Sequence, residues 1–233
     1  MINDTIQPDN NCAAAERNTA ARGVVCKKPG YISGRNKTAG ELKRLLFDIL
    51  EEYGAAVVTE VKEECGTVLV TTFPRGEYDP QAEVFVVKPE EHRSEKVLII
   101  TAGKDDLPAA LEAKYALAAS GVEGTIIQTA GTADIAGLAG LKARLSSAAA
   151  CIAVAGVDNA LPGIVAGATE NPVIALPVSL GKKNIFGGWL SLLGTLSSES
   201  TGLVVVGVDN GSGAGFAAAR IINSSANKNS ANK

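Results

Sequence analysis

Residues 97–103 read VLIITAG and residues 107–120 read LPAALEAKYALAAS: an apolar run, a glycine-bearing turn, then an Ala-rich helix. The rhythm returns four times. GTIIQTAG (124–131) precedes a helical pattern through LAGLKARL (138–145), and CIAVAG (151–156) precedes NALPGIVAGA (159–168). PVIALPVS (172–179) precedes WLSLLGTLSS (189–198), and GLVVVGVDNG (202–211) precedes AGFAAARII (214–222). Apolar runs of strand length, each followed by a helix, specify a parallel sheet covered on both faces. The fold class from about Val97 onward is therefore α/β, a three-layer parallel-sheet domain. Crossovers in such sheets are right-handed, so all five strand-to-helix loops are expected to open on one edge.

Upstream, the charged run KPEEHRSEK (88–96) reads as a linker closing a small α/β unit over residues 31–93. In that unit Thr38 and Glu41 have capping-box spacing, and Leu42, Leu45, Leu46, Ile49 and Leu50 follow at helical intervals, with a stop near Gly54. AAVVTEV (55–61), GTVLVTTF (66–73) and AEVFVV (82–87) then read as three strands. Residues 1–30 lack the apolar area that offsets ordering entropy and read as a flexible arm; residues 94–223 form the main domain, and SSANKNSANK (224–233) reads as a frayed tail.

Apolar residues make up 46% of the 233 and aromatics only 4%, so Ala, Val, Leu and Ile must fill the interior around 25 glycines. Small side chains of this kind suit helices packed closely on a sheet. Net charge is -3 with the basic residues scattered, which argues against nucleic acid as a partner. Cys12, Cys26, Cys65 and Cys151 have no metal-ligand spacing, and the single histidine, His92, lies in the linker, so neither a zinc site nor a disulfide framework is expected. The opening MINDTIQPDN lacks the pattern of a secretory signal, and no segment reaches the roughly 18 apolar residues of a membrane span. The expected location is the cytoplasm.

The loops on the expected edge are TAGKDDLP (101–108), TAGTADI (129–135), AGVDNALP (155–162), PVSLGKKNIFGG (177–188) and VDNGSGAG (208–215). Glycine lets a ligand touch the backbone, and amides at a following helix N-terminus favour an anion such as phosphate. None of the loops is a complete GxGxxG after a strand or a phosphate-binding GxxxxGK[ST], which disfavours the standard dinucleotide and NTP folds.

In order and spacing, TAGKDDLP, AGVDNALPGIVAG, NPVIALPVS, FGGWLSLLGTLSS and VDNGSGAG resemble the pyridinium-biscarboxylic acid mononucleotide synthases, which begin nickel-pincer cofactor synthesis. The likeness covers residues 97–222 and reaches the amino-terminal unit through GYISGRNKTAGEL (30–42). It implies a flavodoxin-like domain of the phosphoribosylaminoimidazole carboxylase type. It also implies carboxylation of the nicotinate ring of nicotinic acid adenine dinucleotide, with phosphoanhydride hydrolysis releasing AMP. Carbon dioxide or bicarbonate would be co-substrate, with no tightly bound cofactor, Mg2+ as the metal to test, and a homo-oligomer, an octamer in the carboxylases.

Four departures break the pattern. Glu199 stands where the resemblance places a nucleophilic cysteine, and a carboxylate is a much poorer partner than a thiolate for addition to a pyridinium ring. Cys151 opens an apolar strand and reads as core. Asp158 stands for a glutamate, and Ala160 occupies the place of the purine carboxylases' histidine. Thr129, Ala136 and Gly137 replace an acidic residue and a His-Arg pair, while Lys182 and Lys183 replace a Tyr-Gly step and can return positive charge.

The candidate catalytic residues are Asp158, Glu199 and Asp106. Ala102, Gly103, Lys104 and Asp105 are expected near a phosphate or ribose, with Asp106 on a ribose hydroxyl or simply capping the next helix. Gly131, Ala155, Gly156, Val157, Asn159, Pro162, Val178, Ser179 and Gly181 line the same pocket, and Phe186 with Gly187 and Gly188 can form a stacking lid or a helix start. Asn210 and Gly211 read as a tight turn or a ligand contact, and Asp158 as a base or an N-cap. Glu199 reads as a carboxylate aimed at a cationic heterocycle or as a solvated side chain. A carboxylase or mutase working without a covalent adduct, and a non-catalytic nucleotide-binding paralogue, are the alternatives. The oligomer is expected to use the small-residue faces of AALEAKYALAAS (109–120).

Overall fold

Thr38 and Glu41 cap each other as their spacing predicts. The Glu41 amide donates to Thr38 Oγ1 at 3.3 Å and the Thr38 amide to Glu41 Oε2 at 2.8 Å, which opens helix α1, Ala39–Tyr53. Gly54 ends it with a left-handed φ of 70°. A computed structural model describes residues 29–129, 131–156, 159–179 and 188–231. The expected arm up to residue 28 lies outside the described residues.

Around α1 stand β1 (Gly30–Ser33), β2 (Ala56–Thr59), β3 (Gly76–Asp79) and β4 (Val84–Val87), in the sheet order β1-β2-β4-β3. β1 runs parallel to β2, whereas β4 is antiparallel to both β2 and β3. Leu42, Leu46 and Ile49 of α1 are buried against Ile32, Ala56, Val58 and Phe85.

The expectation of a strand at GTVLVTTF is overturned: those residues belong to helix α2, Glu63–Thr72. Three devices override the β-branched composition. Glu63 and Glu64 suit the helix N-terminus, and Leu69 is fully buried. The hydroxyls of Thr67, Thr71 and Thr72 donate to carbonyls four residues back, leaving Val68 and Val70 outward. The strands β1 (GYIS) and β3 (GEYD) lack the continuous β-branched apolar run that marks β2 and β4, so the sequence does not announce them.

The carboxyl-terminal sheet comprises β5 (Lys96–Thr101), β6 (Glu123–Gln128), β7 (Ala150–Ala155), β8 (Val173–Pro177) and β9 (Leu203–Val205). Its order is β6-β5-β7-β8-β9 and every neighbouring pair is parallel. Helices α3 (Leu107–Ala119) and α8 (Gly211–Ala231) cover one face through Val97, Ile99, Ile152, Val154, Ile174 and Leu176. The other face, with Leu98, Ile100, Cys151 and Ala153, meets α4 (Ile135–Gly140), α5 (Lys142–Ser147) and α6 (Leu161–Ala168). Helix α7 (Trp189–Leu196) lies against β8 and β9. Helix α8 extends to Ala231, so the run expected to fray is helical that far.

Glycines bring α3 and α8 together. A Cβ on Gly211 would stand 2.5 Å from the Ala109 carbonyl oxygen, and one on Gly215 would stand 2.4 Å from that of Ala113. The far side of α3 is covered too: Ala119 and Tyr115 pack with Val57, Val84 and Val86 of the amino-terminal sheet, beside Phe216. Ala110, Ala113, Ala116, Leu117 and Ala119 are buried between the two sheets, while Lys114 stays exposed. The small-residue face of AALEAKYALAAS, expected to join subunits, is therefore covered within the chain.

Candidate active site

Parallel register places all five strand ends on one rim: Thr101 pairs with Gln128 and Val154, Ala155 with Pro177, and Ala175 with Val205. The strand order reverses between β5 and β7, because the chain leaves β5 for the edge strand β6 and returns to the other side. Crevices outside such a reversal are where open α/β sheets hold ligands.

The first rim loop folds on itself. The Asp106 carboxylate, 4% exposed, accepts the Ala102 and Gly103 amides at 3.1 Å each, leaving Lys104 and Asp105 exposed on a single 3-10 turn. In the second loop Thr129 donates through both its amide and its hydroxyl to the Thr101 carbonyl, at 2.9 and 3.0 Å. Gly131 is buried with φ 61°, and Asp134 caps α4 by accepting the Gly137 amide at 2.9 Å. Ala136 and Gly137 therefore lie in a capped helix start.

In the third loop Ala155 and Gly156 are buried, and the Ala155 carbonyl accepts the Val178 amide at 3.1 Å and the Ser191 hydroxyl. Asn159 reaches the Leu190 carbonyl at 3.4 Å, and Pro162 is buried in the first turn of α6. Gly194 makes room for Asn159: a Cβ there would stand 2.7 Å from Asn159 Nδ2. Ser179 donates through its amide, at 2.8 Å, and its hydroxyl to Asp209, and Val178 is buried. Asn210 Oδ1 accepts the Gly213 amide at 2.8 Å, so Asn210 caps α8, and Gly211 serves the crossing with α3.

Glu199 is exposed in the link between α7 and β9. Its neighbour Ser200 donates to the Gly163 carbonyl at 3.2 Å, so this link lies against the first turn of α6 and close to the loop after β7. The chain thus brings Glu199, Asn159 and α7 into one neighbourhood. Val157, Asp158, Gly181, Lys182, Lys183, Phe186 and Gly187 lie outside the described residues.

Sequence reading missed Glu112, Asp209 and Thr101. Glu112 accepts the Ser212 amide at 2.8 Å at the start of α8. Burial pushes its carboxyl above the ordinary range, against the opposing Ser212 bonds, and Glu60 and Asp209 push it further. Its signal was a lone acid among the alanines of α3. Of four buried side-chain polar atoms without a partner among the described residues, two lie on this rim: Thr101 Oγ1 at the end of β5 and Asn159 Oδ1 just after β7. Buried polar atoms of this kind need a partner, and both flank the reversal point.

Two cysteines are described. Cys151 is fully buried in β7, and burial pushes its thiol up to about 11; Cys65 lies in the amino-terminal unit beside the Lys37 carbonyl. Neither offers a thiolate at the rim. His92 lies next to the Arg93 contact with Gly121, ahead of β5 and β6 and thus at the edge opposite the rim.

Comparison with family profiles matches residues 96–232 to AIR carboxylase. An uncharacterized protein of Methanocaldococcus jannaschii, MJ0165, is 32% identical over 204 residues, which span 83% of this chain and 78% of that protein. Crystal structures of Treponema denticola PurE and of a PurE2 variant are each 24% identical with a TM-score of 0.47. The PurE2 variant covers 56% of this chain and 81% of its own, and PurE covers 55% and 80%. No described helix is long and apolar enough to cross a membrane.

Proposed function

The chain belongs to the AIR carboxylase family, and on that premise we propose that it adds carbon dioxide to, or shifts a carboxyl group on, a nucleotide held at the rim between β5 and β7. The observation that carries this reading is the pair of unpartnered buried polar atoms, Thr101 Oγ1 and Asn159 Oδ1, at the point where the strand order reverses. Asp158 and Glu199 are the proposed acid–base pair, with Lys104, Lys182 and Lys183 as cations for the phosphate and carboxylate groups.

Nicotinic acid adenine dinucleotide is the first substrate to test, with bicarbonate as co-substrate and Mg2+ added. Carboxylation would join a ring carbon to carbon dioxide, with the displaced ring proton passing to a carboxylate; hydrolysis of the phosphoanhydride would release AMP. A thiol adduct is not needed if the ring carbon is already electron-rich, as in an amino-substituted heterocycle. The absence of a rim thiolate among the described residues favours that second reading, a carboxylase or mutase on another nucleotide.

Mass spectrometry after incubation with labelled bicarbonate and a nucleotide panel tests both readings. Carboxylated product is expected from the wild-type chain, and Glu199→Gln and Asp158→Asn are expected to abolish turnover while binding survives. AMP release with nicotinic acid adenine dinucleotide selects the first reading. Product from another nucleotide selects the second. Stabilisation by nucleotides with no product from any of them selects a non-catalytic binding subunit.

Assembly from several copies belongs to the proposal. Helix α7 turns Trp189, Leu190, Leu193 and Leu196 to solvent, and Val204 on the edge strand β9 is exposed nearby. A stripe of this size suits a second copy better than water. Light scattering is expected to show an oligomer, up to an octamer, that Leu193→Glu dissociates.

A further inference from the structure

At the carboxyl-terminal edge of β1 and β2 the chain builds a fixed guanidinium. The Arg35 side chain is 74% exposed, yet Nε and Nη2 both donate to Glu60 Oε1, at 2.8 and 2.5 Å. The other carboxylate oxygen accepts the Ser33 hydroxyl at 2.8 Å. Arg35 first, with Ser33 and Lys37 adding, holds the Glu60 carboxyl below the usual carboxylate range, so the anchor stays ionised. The remaining guanidinium nitrogen, Nη1, has no partner among the described residues.

The backbone beneath is unusual. Asn36 and Glu60 have φ of 58° and 56°, values that side-chain-bearing residues seldom adopt. Gly34 passes so close to β2 that a Cβ would stand 2.9 Å from the Thr59 carbonyl oxygen. Conformations of this kind gather where a binding site requires them.

Contacts between the units set this edge beside the rim. The Tyr31 hydroxyl meets the Thr59 hydroxyl at 3.1 Å, and its ring meets the edge of Phe216 with centroids 6.2 Å apart. Phe216 lies in the second turn of α8, whose first turn opens at the rim. Glu112 accepts the Ser212 amide in that first turn, and its carboxyl, raised chiefly by burial, is raised further by the charges of Glu60 and Asp209. Many rim amides are taken by the chain's own side chains: Ala102 and Gly103 by Asp106, Ser179 by Asp209, Ser212 by Glu112 and Gly213 by Asn210. A phosphate arriving there meets satisfied donors, so a cation on a neighbouring element would join the rim lysines in holding it.

We propose that Arg35 is that cation: the amino-terminal unit lends a carboxylate-anchored guanidinium to the phosphate of the nucleotide bound at the rim. The inference rests on the nucleotide reading above. An arginine fixed through one edge presents its remaining N–H groups to phosphate with little ordering left to do, which a lysine cannot match.

Calorimetric titration with AMP and nicotinic acid mononucleotide, each against its nucleoside, tests the assignment. The wild-type chain is expected to prefer the nucleotide. Arg35→Ala should weaken nucleotide binding about 10- to 100-fold, the scale of a charge-assisted bond, while leaving nucleoside binding unchanged. Arg35→Lys should restore part of the loss, and Glu60→Gln, which loosens the anchor, should give a smaller loss. A nucleotide affinity that Arg35→Ala leaves intact overturns the assignment alone. A wild-type chain that binds neither nucleotide overturns it together with the reading on which it rests. Arg35 is exposed, so circular dichroism of the variant should match the wild type.

Discussion

The two sheets lie on opposite sides of α3 and use their polar groups in opposite ways. On the carboxyl-terminal rim four acids are spent on the chain itself: Asp106, Asp134, Asp209 and Glu112 all accept backbone amides of their own or neighbouring turns. At the edge of the amino-terminal sheet Glu60 instead holds an arginine whose side chain stays largely exposed. A rim closed by its own carboxylates is shaped before any ligand arrives. Its charge for an anion must come from lysines and from the neighbouring unit.

The largest blow to this comparison is Gly215→Val. A Cβ at that position would stand 2.4 Å from the Ala113 carbonyl oxygen and 2.7 Å from Ala116 Cβ, neither of which can swing away. Separating α3 from α8 should cost about 3 kcal/mol, read as a lower denaturant midpoint. An unchanged midpoint would show that the two helices do not cross so closely.

Next comes Glu112. Glu112→Ala leaves the Ser212 amide without its acceptor in a residue 4% exposed, at a cost of about 1–3 kcal/mol. Glu112→Gln keeps an acceptor and removes the charge. Because burial raises the folded carboxyl's proton affinity, its contribution is complete below the ordinary value of 4.5 and is lost as pH rises through the raised one. Wild-type stability should thus carry a falling component above about pH 4.5 that Glu112→Gln lacks, visible in denaturant midpoints taken across that range. Parallel pH profiles would contradict the burial assigned to Glu112.

Tyr115→Phe tests the seam between the units, where the Tyr115 hydroxyl donates to Asp79 Oδ2 at 2.7 Å. Losing this bond should cost about 1–2 kcal/mol in thermal unfolding, an effect shared by both sheets if they unfold together. The smallest stability effect belongs to Arg35→Ala, under about 1 kcal/mol because the ion pair is exposed. That variant sharpens the contrast: nearly silent in unfolding, but large in nucleotide binding.

Legibility in the sequence followed the same division. Strands β5, β7 and β8 are apolar runs buried on both faces, and the half-buried edge strands β6 and β9 keep the same apolar run followed by a helix, so each could be read directly, and the parallel rim followed from handedness. The capping box of α1 was equally plain. GTVLVTTF misled because its threonines satisfy their hydroxyls inside a helix, which no β-propensity scale records. At the rim, sequence located the loops but not the direction of their side chains. The sequence reads the same whether Asp106 grips amides or a ribose hydroxyl, and the two amide bonds emerge only from the fold. Glu112 and Arg35 were hidden more deeply, since their partners Ser212 and Glu60 are distant in the chain.

A crystal structure with a bound nucleotide tests the central claim most directly. The account predicts density outside the ends of β5 and β7, within reach of Thr101 Oγ1 and Asn159, with the phosphate toward Arg35. A nucleotide seated at the opposite edge, by His92 and Gly121, would contradict it.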